Sequence, residues 1–334
     1  MEKIIKRASI AALSDKEATT AFSAIMSGDM DDESICSFLL ALKTRGESVQ
    51  EIIAAAKVMR QKCLKIKAPK GSIDIVGTGG DGKGTLNIST ATALVVASCG
   101  ISVAKHGNKN ISSKSGAADV LHQLGVDVML KPNQIENSLR VANIAFMMAP
   151  MHHPAVKHVM PARQKLKTRT IFNILGPLTN PADVKYQLTG VFNKDLLVPM
   201  AQALKVLGSK RAWIVHGSDG TDELSICGPS YVAELSRDVI REFKITPSEA
   251  GLPTHKLDEI VGGEPKENAD ALVELLNGEE SAYRNAVLYN SAAALLIGNK
   301  VRSLREGVVL ATKSIDNGAA RLTLKKLVNV STGK

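Results

Sequence analysis

The sequence has few aromatic residues and no long apolar run. Phe, Trp and Tyr make up 3% of its 334 residues, which leaves few rings for stacking on nucleic-acid bases. The longest apolar stretches, 91–99 and 142–150, are about half the ~18 residues that a membrane helix needs. Met1–Ser9 carries charges of both signs and no apolar segment follows it, which argues against a secretory signal. We therefore expect a cytoplasmic protein without a membrane partner.

Cysteine is also scarce, and acidic residues are outnumbered. The cysteines at 36, 63, 99 and 227 form no CxxC pair and have no histidine at zinc spacing, so we expect reduced thiols in a reducing compartment. Lys and Arg number 42 against 33 Asp and Glu, a net charge of +9. These charges are dispersed, so they fit an anionic small substrate as well as a nucleic acid and do not decide between them.

The order of the predicted elements gives the fold class. Residues 1–66 are predicted to be helical, with Ser14 and Glu17 as a capping box. From residue 67 onwards, short apolar strands alternate with helices, a pattern typical of a mainly parallel sheet flanked by helices. We predict an α/β protein with a small all-helical domain (1–66) and a larger α/β domain (67–334). A helical segment near 161–181 is expected to join the small domain.

The individual elements follow from apolar periodicity and from glycine positions. Strands are predicted at 72–76, 101–104, 126–130, 144–148, 186–191 and 212–215. Helices are predicted at 31–42, 48–60, 87–98, 115–124, 154–166, 196–207, 268–276, 286–297 and 303–327.

The strongest chemical motif is the glycine-rich segment Gly77–Gly84, GTGGDGKG, between a predicted strand and a predicted helix. Glycine permits positive φ and lets backbone N–H groups approach a ligand closely, which forms a nest for anions. The next helix begins in Asn87–Thr90, and its unpaired N–H groups favour phosphate. The segment is neither a Walker A loop nor a dinucleotide fingerprint. It predicts a phosphate or pyrophosphate site, at which the Ser89 hydroxyl could also bind Mg²⁺.

Two further groups of polar residues follow predicted strands. Lys105, His106, Asn108 and Lys109 follow the strand at 101–104, at the edge of an open sheet where ligands bind. The adjacent pair Asp222–Glu223 follows the strand at 212–215, and carboxylates on a loop suit Mg²⁺. Taken alone, this pair is a weak signal, because acidic loops are usually just solvated.

A fourth group contains His152, His153 and Arg163, followed by the segment 169–181, RTIFNILGPLTNP. His153 and His158 lie five residues apart, which does not place them on one helix face, so a metal site there is not expected. Arg163 could pair with a carboxylate through two hydrogen bonds. Taken alone, Arg163 is better explained by a surface ion pair.

Together and in this order, the motifs GTGGD, NIST, KHGN, SSKSG, HPA, RTIFNILGPLTNP and DGTDE resemble the anthranilate phosphoribosyltransferase family. The resemblance extends from the helical N-terminus to about residue 320. It implies a two-domain fold and a homodimer formed through the helical domain. It also implies transfer of a phosphoribosyl group from 5-phosphoribosyl-1-pyrophosphate (PRPP) to the amine of anthranilate, in tryptophan biosynthesis, with Mg²⁺.

The resemblance also assigns roles to residues. The predicted PRPP-binding residues are Gly77, Gly80, Asp81, Thr85, Asn87, Ile88, Ser89, Thr90, Lys105, Ser113 and Ala117. Those predicted to contact anthranilate or to line its path are Gly77, His106, Asn108, His153, Arg163 and Pro177, and those predicted to hold Mg²⁺ are Ser89, Asp222 and Glu223. Ala117 departs from the family pattern, which often has a serine there that contacts phosphate. The reaction requires orientation of a neutral amine more than its deprotonation, so His106 is only a possible catalytic residue.

Two alternatives remain open from the sequence. A pyrimidine nucleoside phosphorylase would share the fold and a glycine-rich loop, but the 169–181 segment and the acidic pair argue against it. A non-enzymatic relative that binds nucleic acid fits the pI near 9.3, but such a protein is expected to lose the acidic pair or Arg163. We therefore expect PRPP and anthranilate as partners and no nucleic acid.

Overall fold

A bundle of helices forms the N-terminal part of the computed structural model, which describes residues 1–109 and 114–334. The helices are α1 (Glu2–Ala8), α2 (Asp15–Ser27), α3 (Asp32–Arg45) and α4 (Val49–Lys62). Ser14 and Glu17 form the predicted capping box at the start of α2, and Ser48 with Glu51 forms another at the start of α4. These side chains satisfy N–H groups that a helix start otherwise leaves unpaired.

The apolar centre of the bundle includes residues from much later in the chain. Phe22 of α2 packs edge-on against Phe38 of α3, with ring centroids 5.4 Å apart, and lies 6.4 Å from Phe172. The later residues belong to the short helices α9 (Met160–Leu166) and α10 (Phe172–Leu175). The segment that carries Arg163 therefore rests on the helical bundle.

The larger part of the chain is built on one sheet. Its strands are β1 (Ile73–Gly77), β2 (Val103–Gly107), β3 (Ile144–Met148), β4 (Tyr186–Gly190), β5 (Arg211–Gly217), β6 (Ser230–Ser236) and β7 (Val239–Ile245). In the described chain their order is β3-β2-β1-β4-β5-β6-β7. The first five in this order are parallel, and β6 and β7 are antiparallel additions at one edge. The predicted mainly parallel sheet is confirmed.

Helices cover both faces of the sheet. They are α5 (Ile88–Ser98), α6 (Ala117–Gln123), α7 (Pro132–Ala142), α8 (Ala149–His152), α11 (Leu197–Val206), α12 (Pro265–Leu276), α13 (Ala282–Ile297), α14 (Leu304–Asp316) and α15 (Ala319–Thr332). Successive side chains of β5 point to opposite faces, as the pleat requires. Trp213 and Val215 join the core with α5 and α13, whereas Ala212 and Ile214 join the core with α11 and the bundle. No helix in the described ranges is long and apolar enough to cross a bilayer.

Two predicted elements are wrong. Residues 126–130 are not a strand: Val126, Val128 and Leu130 are buried, but the Asp127 N–H donates to the Ser331 hydroxyl rather than to a neighbouring strand. The single helix predicted at 154–166 is a 3₁₀ turn, Pro154–His158, followed by α9. Pro161 has no N–H and would clash with the carbonyl of Lys157 in a continuous α-helix. The hairpin of β6 and β7 was not predicted.

Candidate active site

The glycine-rich loop connects the end of β1 to the start of α5. Gly79, Gly80, Gly82 and Gly84 all have positive φ, between 63° and 75°, a region that other residues rarely adopt. The loop ends before α5, whose first residue is Ile88 and whose N-cap is Asn87. This helix start lies at the carboxyl ends of the parallel strands, which is a position suited to an anion. Its Ile88 N–H already donates to the Leu86 carbonyl at 2.8 Å.

Asp222 lies across the ends of β1 and β4. These strands end at Gly77 and Gly190, which are paired in register. A Cβ on Gly77 would lie 2.3 Å from Asp222 Oδ2, and one on Gly190 would lie 1.5 Å from the Asp222 carbonyl oxygen. Position 190 therefore requires glycine, and a side chain at position 77 would displace the Asp222 carboxylate. Sequence reasoning missed Gly190, since a single glycine at the end of a strand carries no distinctive pattern.

The acidic pair is buried beside the glycine-rich loop. Asp222 Oδ2 accepts a 2.7 Å hydrogen bond from the Gly79 N–H, and the Asp222 N–H donates to Asp81 Oδ2 at 3.4 Å. Burial, with the nearby Asp81 carboxylate, raises the pKa of Asp222 to about 7. Burial, with Asp222, raises the pKa of Glu223 well above its ordinary value. A cation nearby would favour the ionised form of both carboxyls.

The Lys105 ammonium lies next to the same residues. It donates to the Ile75 carbonyl and, at 3.2 Å, to the Ser89 hydroxyl. Burial lowers the pKa of Lys105, while Asp74, Glu223 and Asp222 counteract this effect. The predicted Mg²⁺ residues Ser89, Asp222 and Glu223 are therefore brought into one electrostatic cluster around Lys105. No group of three or more His, Cys, Asp or Glu side chains with metal-binding geometry occurs in residues 1–109 and 114–334.

Asp74 lies beneath the site and was not predicted. It is fully buried in β1, accepts the His106 N–H at 3.1 Å and accepts Asn180 Nδ2 at 2.7 Å. Burial raises the pKa of Asp74 to about 6, although Lys105 and Asn180 stabilise its charge. Asp74 thereby ties the backbone of β2, at the predicted functional histidine, to the segment that follows α10.

A pocket of about 510 Å³ opens next to the glycine-rich loop. Its walls are mainly apolar and include Met59, Val76, Met160 and Phe172. The residues predicted to contact anthranilate or to line its path all lie on this pocket: Gly77, His106, Asn108, His153, Arg163 and Pro177. The pocket meets the phosphate-type loop at Gly77 and Thr78. An aromatic molecule bound in this pocket would therefore lie beside a ligand bound to the glycine-rich loop.

The two histidines of the pocket are held as neutral rings. Their centroids are 5.1 Å apart. Burial, with the neighbouring histidine, lowers the pKa of His106 to about 3, and burial, with His152, lowers the pKa of His153 to about 4. His106 Nδ1 lies 3.1 Å from the Gly176 carbonyl, which can only accept, so the proton belongs on Nδ1. Nε2 of both rings is buried, with no partner in the described part of the chain, and can accept a hydrogen bond.

Arg163 brings a partly buried cation to the pocket. Its Cζ lies 5.9 Å from the centroid of the Phe172 ring. Burial lowers the pKa of Arg163, and no carboxylate of the described chain lies within ion-pair distance of it. The surface ion pair that the sequence left open is therefore absent from the described residues. A guanidinium in this position suits a ligand carboxylate.

The remaining residues predicted for PRPP lie around the loop and the two helix starts. The Asn87 amide oxygen accepts from Asn268 Nδ2 at 2.8 Å, and Thr85 forms an isolated bridge with Val261. Thr90 Oγ1 is buried without a partner among the described residues. Ala117 is the first residue of α6, Gly80 and Asp81 lie in the loop, and Ile88 and Ser89 open α5. Ser113 lies outside the described residues.

Comparison with known proteins gives one consistent family. The family model described as "Glycosyl transferase family, a/b domain" matches residues 70–321, and the model for the helical bundle domain of that family matches residues 1–63. The anthranilate phosphoribosyltransferase of Parvibaculum lavamentivorans is 54% identical over 97% of this chain and 95% of its own length.

Solved structures of the same name share the fold. The crystal structure of the Thermus thermophilus enzyme has a TM-score of 0.93 at 40% identity and covers 98% of this chain and 99% of its own. The Saccharomyces cerevisiae enzyme in complex with PRPP and Mg has a TM-score of 0.89 at 30% identity, and in complex with 4-fluoroanthranilate a TM-score of 0.87 at 28% identity; each covers 96% of this chain and 94% of its own.

Fold, site and family models together define a two-domain glycosyl transferase. Within that class, the chain belongs to the anthranilate phosphoribosyltransferase family.

Proposed function

We propose that this enzyme transfers the phosphoribosyl group of PRPP to the amine of anthranilate. The products are N-(5-phosphoribosyl)anthranilate and pyrophosphate, as a step of tryptophan biosynthesis. The observation that carries the proposal is the position of Arg163. This cation has no carboxylate partner among the described residues and lies in a mainly apolar pocket that meets a phosphate-type loop at Gly77. An aromatic carboxylate and a pyrophosphate are the ligands that these two neighbouring sites suit.

PRPP binds along the glycine-rich loop and the start of α5. N–H groups of the loop and of Asn87–Thr90 donate to its phosphate oxygens, apart from those of Gly79 and Ile88, which donate to Asp222 and Leu86. The buried Thr90 hydroxyl is a further available donor. Lys105 supplies positive charge at the same end of the sheet. Gly80, Asp81, Thr85 and Ala117 contribute backbone and side-chain contacts. Ser113 completes the proposed set.

Mg²⁺ fits the donors that this chain offers. Asp222, Glu223 and Ser89 supply hard oxygen atoms, and Mg²⁺ commonly takes one or two carboxylates together with substrate phosphates. The raised pKa values of both carboxyls support this assignment, because a divalent cation would offset their mutual repulsion. When bound, the ion neutralises negative charge that builds on the departing pyrophosphate.

Anthranilate binds in the pocket with its carboxylate on Arg163. Asn108 and the neutral rings of His106 and His153 lie on the same pocket. The unpaired Nε2 of His106 is an acceptor for an N–H of the aromatic amine. Gly77 and Pro177 complete the wall of the pocket.

The reaction joins the amine nitrogen to C1 of the ribose as the bond from C1 to the pyrophosphate oxygen breaks. The leaving electron pair stays on pyrophosphate, whose charge the backbone N–H groups of the loop and the nearby Lys105 ammonium stabilise in this arrangement. After the C–N bond forms, the surplus amine proton passes to solvent water. A His106 with a pKa of about 3 is a weak base, so orientation and charge stabilisation carry the rate rather than general-base catalysis.

The experiment follows anthranilate fluorescence with purified protein, PRPP and Mg²⁺. We expect a loss of fluorescence that needs PRPP, stops with EDTA and is severely slowed in an Asp222→Ala/Glu223→Ala double variant. No loss under any condition would refute the proposed function, and a phosphorylase assay would be the next measurement. An inactive His106→Ala variant that binds both substrates normally would instead refute the proposal that the reaction needs no general base.

We further propose a cytoplasmic homodimer formed through the helical domain. Ile10 and Leu40, 77% and 41% exposed on that domain, support it as apolar residues that a partner subunit would cover, and the free thiols support a reducing compartment. Sedimentation of the native protein and of Leu40→Glu tests the dimer. A native monomer would contradict it. The reported relatives carry the transferase name, which weighs against the phosphorylase and nucleic-acid alternatives.

A further inference from the structure

Arg169 lies between the two halves of the proposed active site. It follows Arg163 on the segment that leaves α9, outside the pocket itself. Its guanidinium donates to the carbonyl of Gly80 in the glycine-rich loop, and its Cζ lies 4.3 Å from the centroid of the Phe192 ring. One side chain thus joins the segment that carries the anthranilate-binding arginine to the loop that binds PRPP.

The geometry of this contact suits arginine. A planar guanidinium can lie over a ring and still donate from its edge, so Arg169 contacts Phe192 and the Gly80 carbonyl together. Phe192 is itself tied to the loop, because its N–H donates to Thr78 Oγ1 at 3.1 Å. The Thr78 N–H in turn donates to the Gly190 carbonyl at 2.9 Å. Arg169 therefore closes a ring of contacts around residues 78–80.

Fixing the Gly80 carbonyl fixes the next N–H group. The peptide is planar and trans, so the Asp81 N–H points away from the Gly80 oxygen and hence away from Arg169. Gly79 and Gly80 have φ of 66° and 75°, in a region from which glycine moves readily. Without Arg169, the peptide that joins Gly80 to Asp81 would be free to rotate, and the nest of N–H groups would lose its order.

The segment between the two arginines is also anchored on the helical bundle. Lys43 of α3 donates to the Thr168 hydroxyl, next to Arg169. Arg163, in the pocket, lies in α9 before this anchor, and Arg169 directly follows it. A ligand that orders the α9 segment therefore also favours the contact between Arg169 and Gly80. By linkage, a ligand that orders the glycine-rich loop favours binding at the α9 segment.

We propose that Arg169 is a positioning residue that couples the two substrate sites. It holds the glycine-rich loop in its phosphate-binding conformation and links that conformation to the segment that carries Arg163. This inference rests on the proposed function, since it concerns how the two substrates of that reaction affect each other's binding.

The test compares Arg169→Ala and Arg169→Lys with Lys165→Ala. Lys165 is exposed on the same segment, so its removal takes away the same charge without touching the loop. We expect Arg169→Ala to raise the KM for PRPP about tenfold, with a smaller change in kcat. Arg169→Lys, which keeps a cation over Phe192 and a donor for Gly80, should restore part of the loss. Lys165→Ala should match the native enzyme.

The coupling is measured by direct binding of PRPP with Mg²⁺, with and without benzoate, which has the carboxylate of anthranilate but no amine to react. We expect benzoate to tighten PRPP binding to the native protein about fivefold or more and to have little effect in Arg169→Ala. The proposal would be overturned if benzoate left the PRPP affinity of the native protein unchanged, or if Arg169→Ala bound PRPP as tightly as the native protein does. If Arg169→Ala does not fold, Phe192→Leu and Arg169→Lys supply the same comparison.

These binding measurements separate the two proposals. Native protein that consumes no anthranilate would refute the transferase function. PRPP affinity in the Arg169 variants would still decide whether Arg169 positions the loop.

Discussion

The carbonyl oxygen of Asp222 lies where a side chain on Gly190 would begin. A Cβ built at Gly190 would be 1.5 Å from that oxygen, far inside any allowed contact. The end of β4 therefore admits the acidic loop only because residue 190 is glycine, and the position of Asp222 depends on a residue outside the proposed ligand-binding set.

Gly190→Ala should displace the acidic loop. We expect loss of most Mg²⁺-dependent turnover, by at least about a hundredfold, because misplacing catalytic groups by about 1 Å has effects of that size. Activity per folded molecule and the Mg²⁺ requirement are the quantities to measure. Gly298→Ala is the control, since its Cβ would meet the Ile101 side chain at 2.4 Å, away from the site; it should cost stability and leave kcat unchanged. Native kcat in Gly190→Ala would refute this account of β4.

Arg163→Gln should weaken anthranilate binding selectively. Losing a charge-assisted pair with the substrate carboxylate costs roughly 1.5–3 kcal/mol, so the KM for anthranilate should rise about ten- to hundredfold. The KM for PRPP should change little, because Arg163 lies on the pocket and the loop binds the phosphates. Arg163→Lys keeps the charge but not the paired donors, so its KM for anthranilate should lie between those of the native enzyme and of Arg163→Gln. Equal increases in both KM values would contradict the assignment.

Asp222→Asn should separate stability from function. At pH 8 without Mg²⁺, the buried Asp222 carboxyl, with its pKa raised to about 7 by burial and Asp81, is mostly ionised beside Glu223. Removing this charge should stabilise the ligand-free protein by on the order of 1 kcal/mol, as measured by urea unfolding. The same change should raise the Mg²⁺ concentration needed for turnover. A variant both less stable and unchanged in Mg²⁺ dependence would contradict the proposed role.

The buried neutral histidines predict a pH dependence of stability. The pKa of His106 is lowered to about 3 in the folded chain, whereas an unfolded histidine titrates near 6.5. Below that value the unfolded state binds the proton and the folded state does not, so the stability contributed above pH 6.5 is lost as the pH falls. Native protein should lose about 2 kcal/mol more than His106→Asn between pH 7 and pH 5.

Urea unfolding of both proteins at the two pH values measures this difference. His122→Asn is the matched control, because His122 is exposed and its ring stays in water when the chain folds. An equal loss in native protein and His106→Asn would show that the ring is not held neutral.

Local patterns predicted the features that depend on neighbouring residues. The clustered glycines of 77–84 and the polar residues after 101–104 correctly located the site at the carboxyl ends of the strands, because parallel strands place these ends together. Features that depend on distant contacts were missed. Asp74 looks like one polar residue in a strand, Gly190 like an ordinary glycine, and Arg169 like a surface cation.

Residues 126–130 show the opposite error, in which a local pattern predicted a strand that the structure does not contain. Alternating burial of Val126, Val128 and Leu130 mimics a strand, but a strand also needs a neighbour with free backbone groups. The Asp127 N–H bonds to Ser331 at the far end of the chain instead. Such a partner leaves no trace in local sequence.

The most direct test of the central claim detects the new bond itself. PRPP labelled with ¹³C at C1 and anthranilate labelled with ¹⁵N are incubated with the enzyme and Mg²⁺, and the product is examined by NMR. The account predicts a one-bond ¹³C–¹⁵N coupling that appears together with released pyrophosphate and is absent with Asp222→Ala/Glu223→Ala. Pyrophosphate release without that coupling, or no reaction of either substrate, would contradict it.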